Sequence, residues 1–380
     1  MPSYYLAATL ARFADEMVAF TLVLLVLERT DSPTLAGLTG AAYALPAIVT
    51  GPLLGAWLDR TAYRRSALAI NQAALAAVML ALLALTGHAA SWLSPALAAV
   101  AGATLPMVSG GLTSMLPSLF RQDRLARANS FEAASFSSAA IAGPATAATV
   151  TAAVSIEAAV VVIVVAATLS IVAIGRLPAL PPVGSTGEPF LASVVGGLQH
   201  LARTPRLRAS TVTTTLLMGF SGVLLITLPL HMPSLGHPES AAGYLWTAVE
   251  VGSVTTALLL GRLRSSWRPE YVVMLSVAAY GLVLTTWPLA SSLAVLLLLA
   301  LLAGLVEGPT LPAMFAARQQ YSPPALQGRV STTAASLRVG TSALGQATAG
   351  ALVPTIGTQA SLVLVGAGLT AAALTGRLSS

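Results

Sequence analysis

Three ionisable side chains stand within one turn of each other in the first apolar stretch of the chain: Arg12, Asp15 and Glu16. On a helix the i, i+3, i+4 spacing sets all three on one face and within pairing distance. A charge at the centre of a membrane helix costs about 2.5 to 3.5 kcal/mol on insertion scales, so charges kept there call for a functional reading first. One acid can neutralise Arg12 in a purely structural pair, but the second has no such partner. Asp15 is therefore read as a cavity-facing carboxyl that takes up a proton, with Glu16 as the alternative carrier. Burial and the Arg12 charge bias such a carboxyl in opposite senses, so a substrate that disturbs the pair can trade places with a proton.

Single charges recur in later apolar stretches as Glu250, Glu307 and Arg338. Glu250 stands near the middle of its stretch, where it serves either as the anionic partner of a cationic substrate or as the mate of Arg338. Glu307 precedes Gly308-Pro309, where a helix must break its hydrogen-bond ladder, and it either satisfies freed donors or lines a cavity. Glu132 and Glu157 fall near the expected ends of their stretches, where water makes a charge cheap, and are read as solvated. Gly143-Pro144 sits inside a fifth stretch, where proline removes a backbone bond and kinks the helix while glycine permits close packing.

Other chemistries find no support. Cysteine is absent, which removes disulfides and thiolate metal sites. His231 and His237 share a short segment with Glu239 that reads as a solvated loop better than as a metal site. No GxxxxGK[ST] motif is present, and no clustered nucleophile or appended soluble domain suggests an enzyme or a sensor. The expectation is a protein with no cofactor and no metal, driven by an ion gradient.

These residues need a membrane scaffold. With 56% hydrophobic and 8% charged residues among 380, the chain lacks the polar surface to coat a soluble globule. Apolar stretches of about 20 residues, enough to cross a hydrocarbon core, fall near 5–28, 34–58, 66–87, 93–117, 130–151, 156–176, 208–231, 240–262, 270–289, 292–316, 328–352 and 359–376. Long unalternating Leu, Ala and Val runs fit helices rather than barrel strands. The predicted class is an all-α membrane protein of twelve transmembrane helices in two pseudo-symmetric six-helix bundles.

Every base is arginine, and sixteen of the nineteen fall in or beside alternate loops and the C-terminal tail. Because cytoplasmic loops retain basic residues, both termini are placed in the cytoplasm, and the net charge of +6 reflects topology rather than nucleic-acid binding.

The stretch 177–207 opens with Pro178, Pro181, Pro182, Gly184, Gly187 and Pro189. It is read as a cytoplasmic linker between bundles at 1–176 and 208–380. Internal matches support a duplication. Gly37, Ala42 and Gly55 match Gly243, Ala248 and Gly261 at an offset of 206, and Arg127, Ala133, Gly143, Ala145, Thr146 and Ala147 match Arg329, Ala335, Gly345, Ala347, Thr348 and Ala349 at an offset of 202. Two similar bundles that tilt about a midplane site are what alternating access requires.

Between the second and third stretches, Gly55, Asp59, Arg60, Arg64 and Arg65 crowd charge into a short turn. This spacing resembles the signature loop of the major facilitator superfamily, with Ala62 where that family usually has glycine. The resemblance implies that Asp59 holds a cytoplasmic gate by facing the N-terminus of the eleventh helix, where a carboxylate gains from the helix dipole, with the neighbouring bases adding ion pairs across the halves. Gly143-Pro144 resembles the core of the helix-5 motif of antiporting exporters, although the flanking glycines are Ser130, Ala139, Ala147 and Ala148 here. Together with Leu45-Pro46, Gly51-Pro52 and Arg127-Ala128-Asn129-Ser130, these marks look most like the bacterial drug-exporter branch that includes macrolide efflux proteins.

The resemblance implies a proton-driven antiporter of small amphiphilic compounds, monomeric, multi-pass and resident in the cytoplasmic membrane. Its expected partners are a small-molecule substrate, an ion gradient and the lipid bilayer. An uptake carrier for a small polar metabolite would share the architecture; a sugar carrier would present more Asn, Gln and Trp than Asn71, Gln72, Trp246, Trp287 and Gln346.

Overall fold

A computed structural model describes residues 2–61, 63–119, 122–178, 198–260 and 267–378, nearly all of them helical. The chain divides into two compact units, Met1–Gly187 and Glu188–Ser380. The first contains α1 (Pro2–Thr30), α2 (Pro33–Ala44, continued as Pro46–Arg60), α3 (Arg64–Leu85), α4 (Leu93–Thr104, continued by short turns to Leu116–Leu119), α5 (Gln122–Ala153) and α6 (Ile156–Gly175). The second contains α7 (Pro205–His231), α8 (Ala242–Leu260), α9 (Pro269–Leu284), α10 (Leu293–Glu307, continued as Thr310–Tyr321), α11 (Pro324–Ile356) and α12 (Thr358–Leu378). Most of the expected linker, from 179 to 197, lies outside the described residues.

Local signals start the helices. Ser32, Ser155 and Ser292 accept the free amides of Leu35, Ala158 and Val295 at the N-termini of α2, α6 and α10, at 3.2, 3.2 and 3.4 Å, which satisfies donors that have no partner inside a helix. Proline opens α7, α9 and α11 at Pro205, Pro269 and Pro324, where its missing N–H costs nothing. Breaks follow proline too. α2 is interrupted at Leu45-Pro46, α4 loosens into a π turn at Met107–Gly111 just after Pro106, and α10 breaks at Gly308-Pro309.

Six described helical segments are long and apolar enough, by length and composition alone, to cross a membrane: Pro33–Gly51, Arg64–Leu85, Ile156–Gly175, Pro205–Leu235, Pro269–Leu289 and Leu293–Tyr321. α1, α5 and α11, at 29, 32 and 33 residues, are longer than most of these but carry charged and hydroxyl side chains. Those three hold Arg12, Asp15, Glu16, Gly143, Pro144 and Arg338.

Packing repeats from one unit to the other. In the first, α1 packs on α5 and α6, α3 on α6, and α2 on α4; in the second, α7 packs on α11 and α12, α9 on α12, and α8 on α10. Glycines at matching positions close these contacts. A β-carbon on Gly102 of α4 would fall 1.7 Å from the Tyr43 carbonyl oxygen of α2, and one on Gly304 of α10 would fall 1.9 Å from the Val249 carbonyl oxygen of α8. Gly102 and Gly304 are 202 apart, and Tyr43 and Val249 are 206 apart. Gly143 and Gly345, already matched in sequence, bring α5 against Glu16 of α1 and α11 against Gly219 of α7. Small residues at such crossings let backbones touch, which is the main source of helix association in lipid.

Candidate functional site

α5 starts at Gln122, well before the apolar part of its sequence, so Glu132 lies ten residues inside a helix rather than at its end. Glu132, Ser135 and Phe136 share one face of α5 by their i, i+3, i+4 spacing, and that face meets Arg12 of α1. The Arg12 guanidinium pairs with Glu132 Oε1. It also donates to Ser135 Oγ at 2.9 Å and Thr113 Oγ1 at 3.2 Å, and it lies 3.7 Å from the centre of the Phe136 ring. Glu132 accepts further bonds from Tyr4 Oη at 3.1 Å and Thr113 Oγ1 at 2.7 Å. Arg12 is 3% exposed and Glu132 5%. A buried pair holds when its remaining donors and acceptors are satisfied, and here most are. Two expectations are corrected: Glu132 is not solvated, and Arg12 is the mate of Glu132 rather than of Asp15 or Glu16.

Asp15 is thereby left without a hydrogen-bond partner among the described residues. It is half-buried, next to the exposed Glu16. Both acids act electrostatically on Tyr43 of α2, whose buried hydroxyl makes no hydrogen bond to a described residue. Gly143 stands directly over this turn of α1: a β-carbon there would fall 2.6 Å from Glu16 Cβ. The Gly143-Pro144 element therefore packs on the acidic turn itself, a relation the spacing of α5 could not disclose.

The second unit holds another pair of acids. Glu307, at the end of the first piece of α10, accepts from Ser253 Oγ of α8 at 3.0 Å. Gly308 follows it against the Ser253 carbonyl, so α8 and α10 are still in close contact at the Gly308-Pro309 break. Glu250, one turn before Ser253, interacts electrostatically with Glu307, and both act on the buried Tyr280 of α9. Glu250 accepts no hydrogen bond from a described residue, and Arg338 does not reach it. Arg338 donates instead to Met314 Sδ at 3.4 Å, which corrects the alternative of a Glu250–Arg338 lock.

In the signature turn, Arg64 Nε donates to the Leu58 carbonyl at 2.6 Å, and Arg65 Nη1 donates to the Leu177 carbonyl at 2.8 Å. Arg64 thus neutralises the C-terminal end of α2, where free carbonyls concentrate negative charge, and Arg65 holds the turn that follows α6 in the same unit. That is a structural use distinct from the expected ion pairs. The surroundings of Gly55, Asp59 and Arg60, and residue Ala62, lie outside the described residues.

Two further expectations sort differently. His231 closes α7 as a buried residue bonded to Thr358 Oγ1 at 2.9 Å, not as part of a solvated loop. Glu157, in the first turn of α6, is partly exposed and pairs with Arg29.

Comparison with known proteins accords with this architecture. The Major Facilitator Superfamily model matches residues 4–346. A protein described as an uncharacterized MFS-type transporter, y4rN, of Sinorhizobium fredii is 30% identical over 360 residues, covering 92% of this chain and 88% of that one. Among solved structures, the nucleoside transporter NupG superposes with a TM-score of 0.78 at 15% identity, covering 99% of this chain and 98% of its own. A POT family transporter in complex with 5-aminolevulinic acid gives 0.75 at 12% identity, covering 99% and 95%. The likeness to the solved structures is one of fold alone. The chain belongs to the major facilitator superfamily, and its work is secondary transport across a membrane rather than catalysis.

Proposed function

We propose that this transporter exports small amphiphilic compounds in exchange for protons by alternating access, with Asp15 as the coupling carboxyl. The observation that carries the reading is the pairing of Arg12 with Glu132. With Arg12 committed elsewhere, Asp15 is an acid inside a membrane helix with no hydrogen-bond partner among the described residues. Such a group holds a proton cheaply in one state and releases it in another when its access to water changes. Glu16 and Tyr43 beside it supply the neighbours between which a proton can move. Gly143-Pro144 lies over the same turn, so a movement of α5 against α1 alters that access directly.

One proton moving down about 100 mV supplies about 2.3 kcal/mol, enough for modest accumulation. Export, rather than uptake, is supported by the resemblance of the Gly143-Pro144 and signature-turn marks to drug exporters. The protein is assigned to the cytoplasmic membrane with both termini inside, acting as a monomer.

The deciding experiment is dye movement in inverted vesicles or proteoliposomes carrying the purified protein, with an imposed pH gradient and a protonophore control. Gradient-driven movement of an amphiphilic dye, with protons moving the other way, is the expected result. Absence of movement for every dye in folded protein overturns the exporter reading in favour of a carrier of one narrow substrate.

A further inference from the structure

The second unit contains two arginines that share one neighbour and, among the described residues, no acid. Arg318, on the second piece of α10, donates from Nη2 to Met314 Sδ at 3.2 Å, and Arg338 of α11 donates from Nη1 to the same sulfur at 3.4 Å. The two guanidinium groups therefore stand no farther apart than those distances together. Arg318 is only 4% exposed and Met314 1%, while Arg338 is half-buried. The buried Nε of each arginine makes no hydrogen bond to a described residue.

No described acid answers this charge; besides Met314, the Arg318 guanidinium has only the Phe315 ring, 5.9 Å away, among the described aromatic and sulfur contacts. Of the described acids in the unit, Glu270 is engaged by Arg206 at 3.8 Å and by Tyr321 Oη at 2.7 Å, and Glu307 by Ser253. Neither arginine makes an ion pair with Glu250 or any other described acid. A thioether is a weak acceptor, whereas each guanidinium presents five donors in a planar fork. A buried cation and a half-buried one repel each other, and a protein holds such an arrangement at a cost. An oxyanion between the forks would satisfy both at once, since carboxylate, sulfonate and phosphate oxygens match guanidinium geometry in two-pronged fashion.

We propose that Arg318 and Arg338 form a binding site for the oxyanion group of a small organic compound. On the transport reading above, that compound is the transported one, so its substrates carry a carboxylate, sulfonate or phosphate on an apolar body. Export of such an anion against proton entry moves positive charge inward on both counts, and the membrane potential then assists each cycle.

The test is equilibrium binding to the full chain in lipid nanodiscs at neutral pH with no gradient. The probes are 1-naphthoate, 1-naphthalenesulfonate and the neutral 1-naphthamide. Both anions are expected to bind and the amide not to. Arg318→Gln and Arg338→Gln are each expected to weaken the anions by about tenfold or more, as loss of a charge-assisted bond does. Arg338→Lys, which keeps the charge but loses the fork, should fall between wild type and Arg338→Gln. Should Arg318→Gln fail to fold, the half-buried Arg338 variants carry the test alone. Equal affinity for the anions and the amide, or unchanged anion affinity in Arg338→Gln, overturns the site. Gradient-driven dye movement without anion binding overturns this site and leaves the exporter reading standing. Anion binding without movement of any dye does the reverse.

Discussion

The guanidinium of Arg12 on α1 is paired with the carboxylate of Glu132 on α5, 120 residues further along the chain. The acids one turn away on its own helix do not take that place. An arginine is a fork that needs acceptors in one plane, and α5 offers Glu132 and Ser135 from a single face, with Thr113 of the α4 segment beside them. The pair ties the first and fifth helices together and leaves Asp15 available.

Breaking this pair should be costly. Glu132→Gln leaves Arg12 buried without its counter-charge, and removal of one partner of a buried pair costs about 3–5 kcal/mol. Thermal unfolding in detergent is expected to show a large loss for Glu132→Gln and for Arg12→Gln. The double variant should lose clearly less than the two added. Strict additivity would mean that the two side chains are not coupled.

Asp15→Asn should abolish uphill, pH-gradient-driven transport while the protein keeps its thermal stability and its gradient-independent exchange of substrate. Counterflow and gradient-driven assays on the same vesicles separate these outcomes. Concentrative transport at wild-type level by this variant would remove Asp15 from the mechanism.

Glycine at the helix crossings is a matter of space. Gly345→Ala would set a β-carbon 2.0 Å from the Gly219 carbonyl oxygen, and Gly143→Ala would set one 2.6 Å from Glu16 Cβ. Overpacking of this kind costs about 1–3 kcal/mol, so both variants should unfold at lower temperature. Gly175→Ala meets nothing within 4 Å and should stay within about 0.5 kcal/mol of wild type. A Gly345→Ala variant as stable as Gly175→Ala would mean that α7 and α11 do not approach so closely.

The two bases of the signature turn should differ in weight. Arg64 is buried and caps α2 through Leu58, whereas Arg65 is exposed and reaches Leu177, just beyond α6. Loss of a buried cation at a helix C-terminus costs up to about 2 kcal/mol, and a solvent-exposed contact much less. Chemical denaturation of Arg64→Ala and Arg65→Ala is expected to rank them in that order, and the reverse order would contradict the capping role of Arg64.

Much of the scaffold is written in local sequence. Serine and proline mark where helices begin, Leu45-Pro46 and Gly308-Pro309 mark where they break, and Gly143 and Gly345 announce the duplication before any contact is known. These signals act within a few residues, through backbone donors and steric contact. The start of α5 was less legible. Its polar first turns read as loop because hydropathy counts side chains without asking what covers them, so Glu132 looked solvated.

The apolar runs by themselves determined an all-helical membrane protein, because backbone groups in lipid must find partners within their own segment. The spacing of Arg12, Asp15 and Glu16 determined that three charges share one face. Which of them pair was decided only by tertiary structure, through the face of α5 that meets Arg12. The same holds for Arg318, which reads as a loop base by its place in the chain and is buried beside Arg338 in the fold. Charge partners are chosen by distance in space, and in a helix bundle the nearest opposite charge commonly lies on another helix.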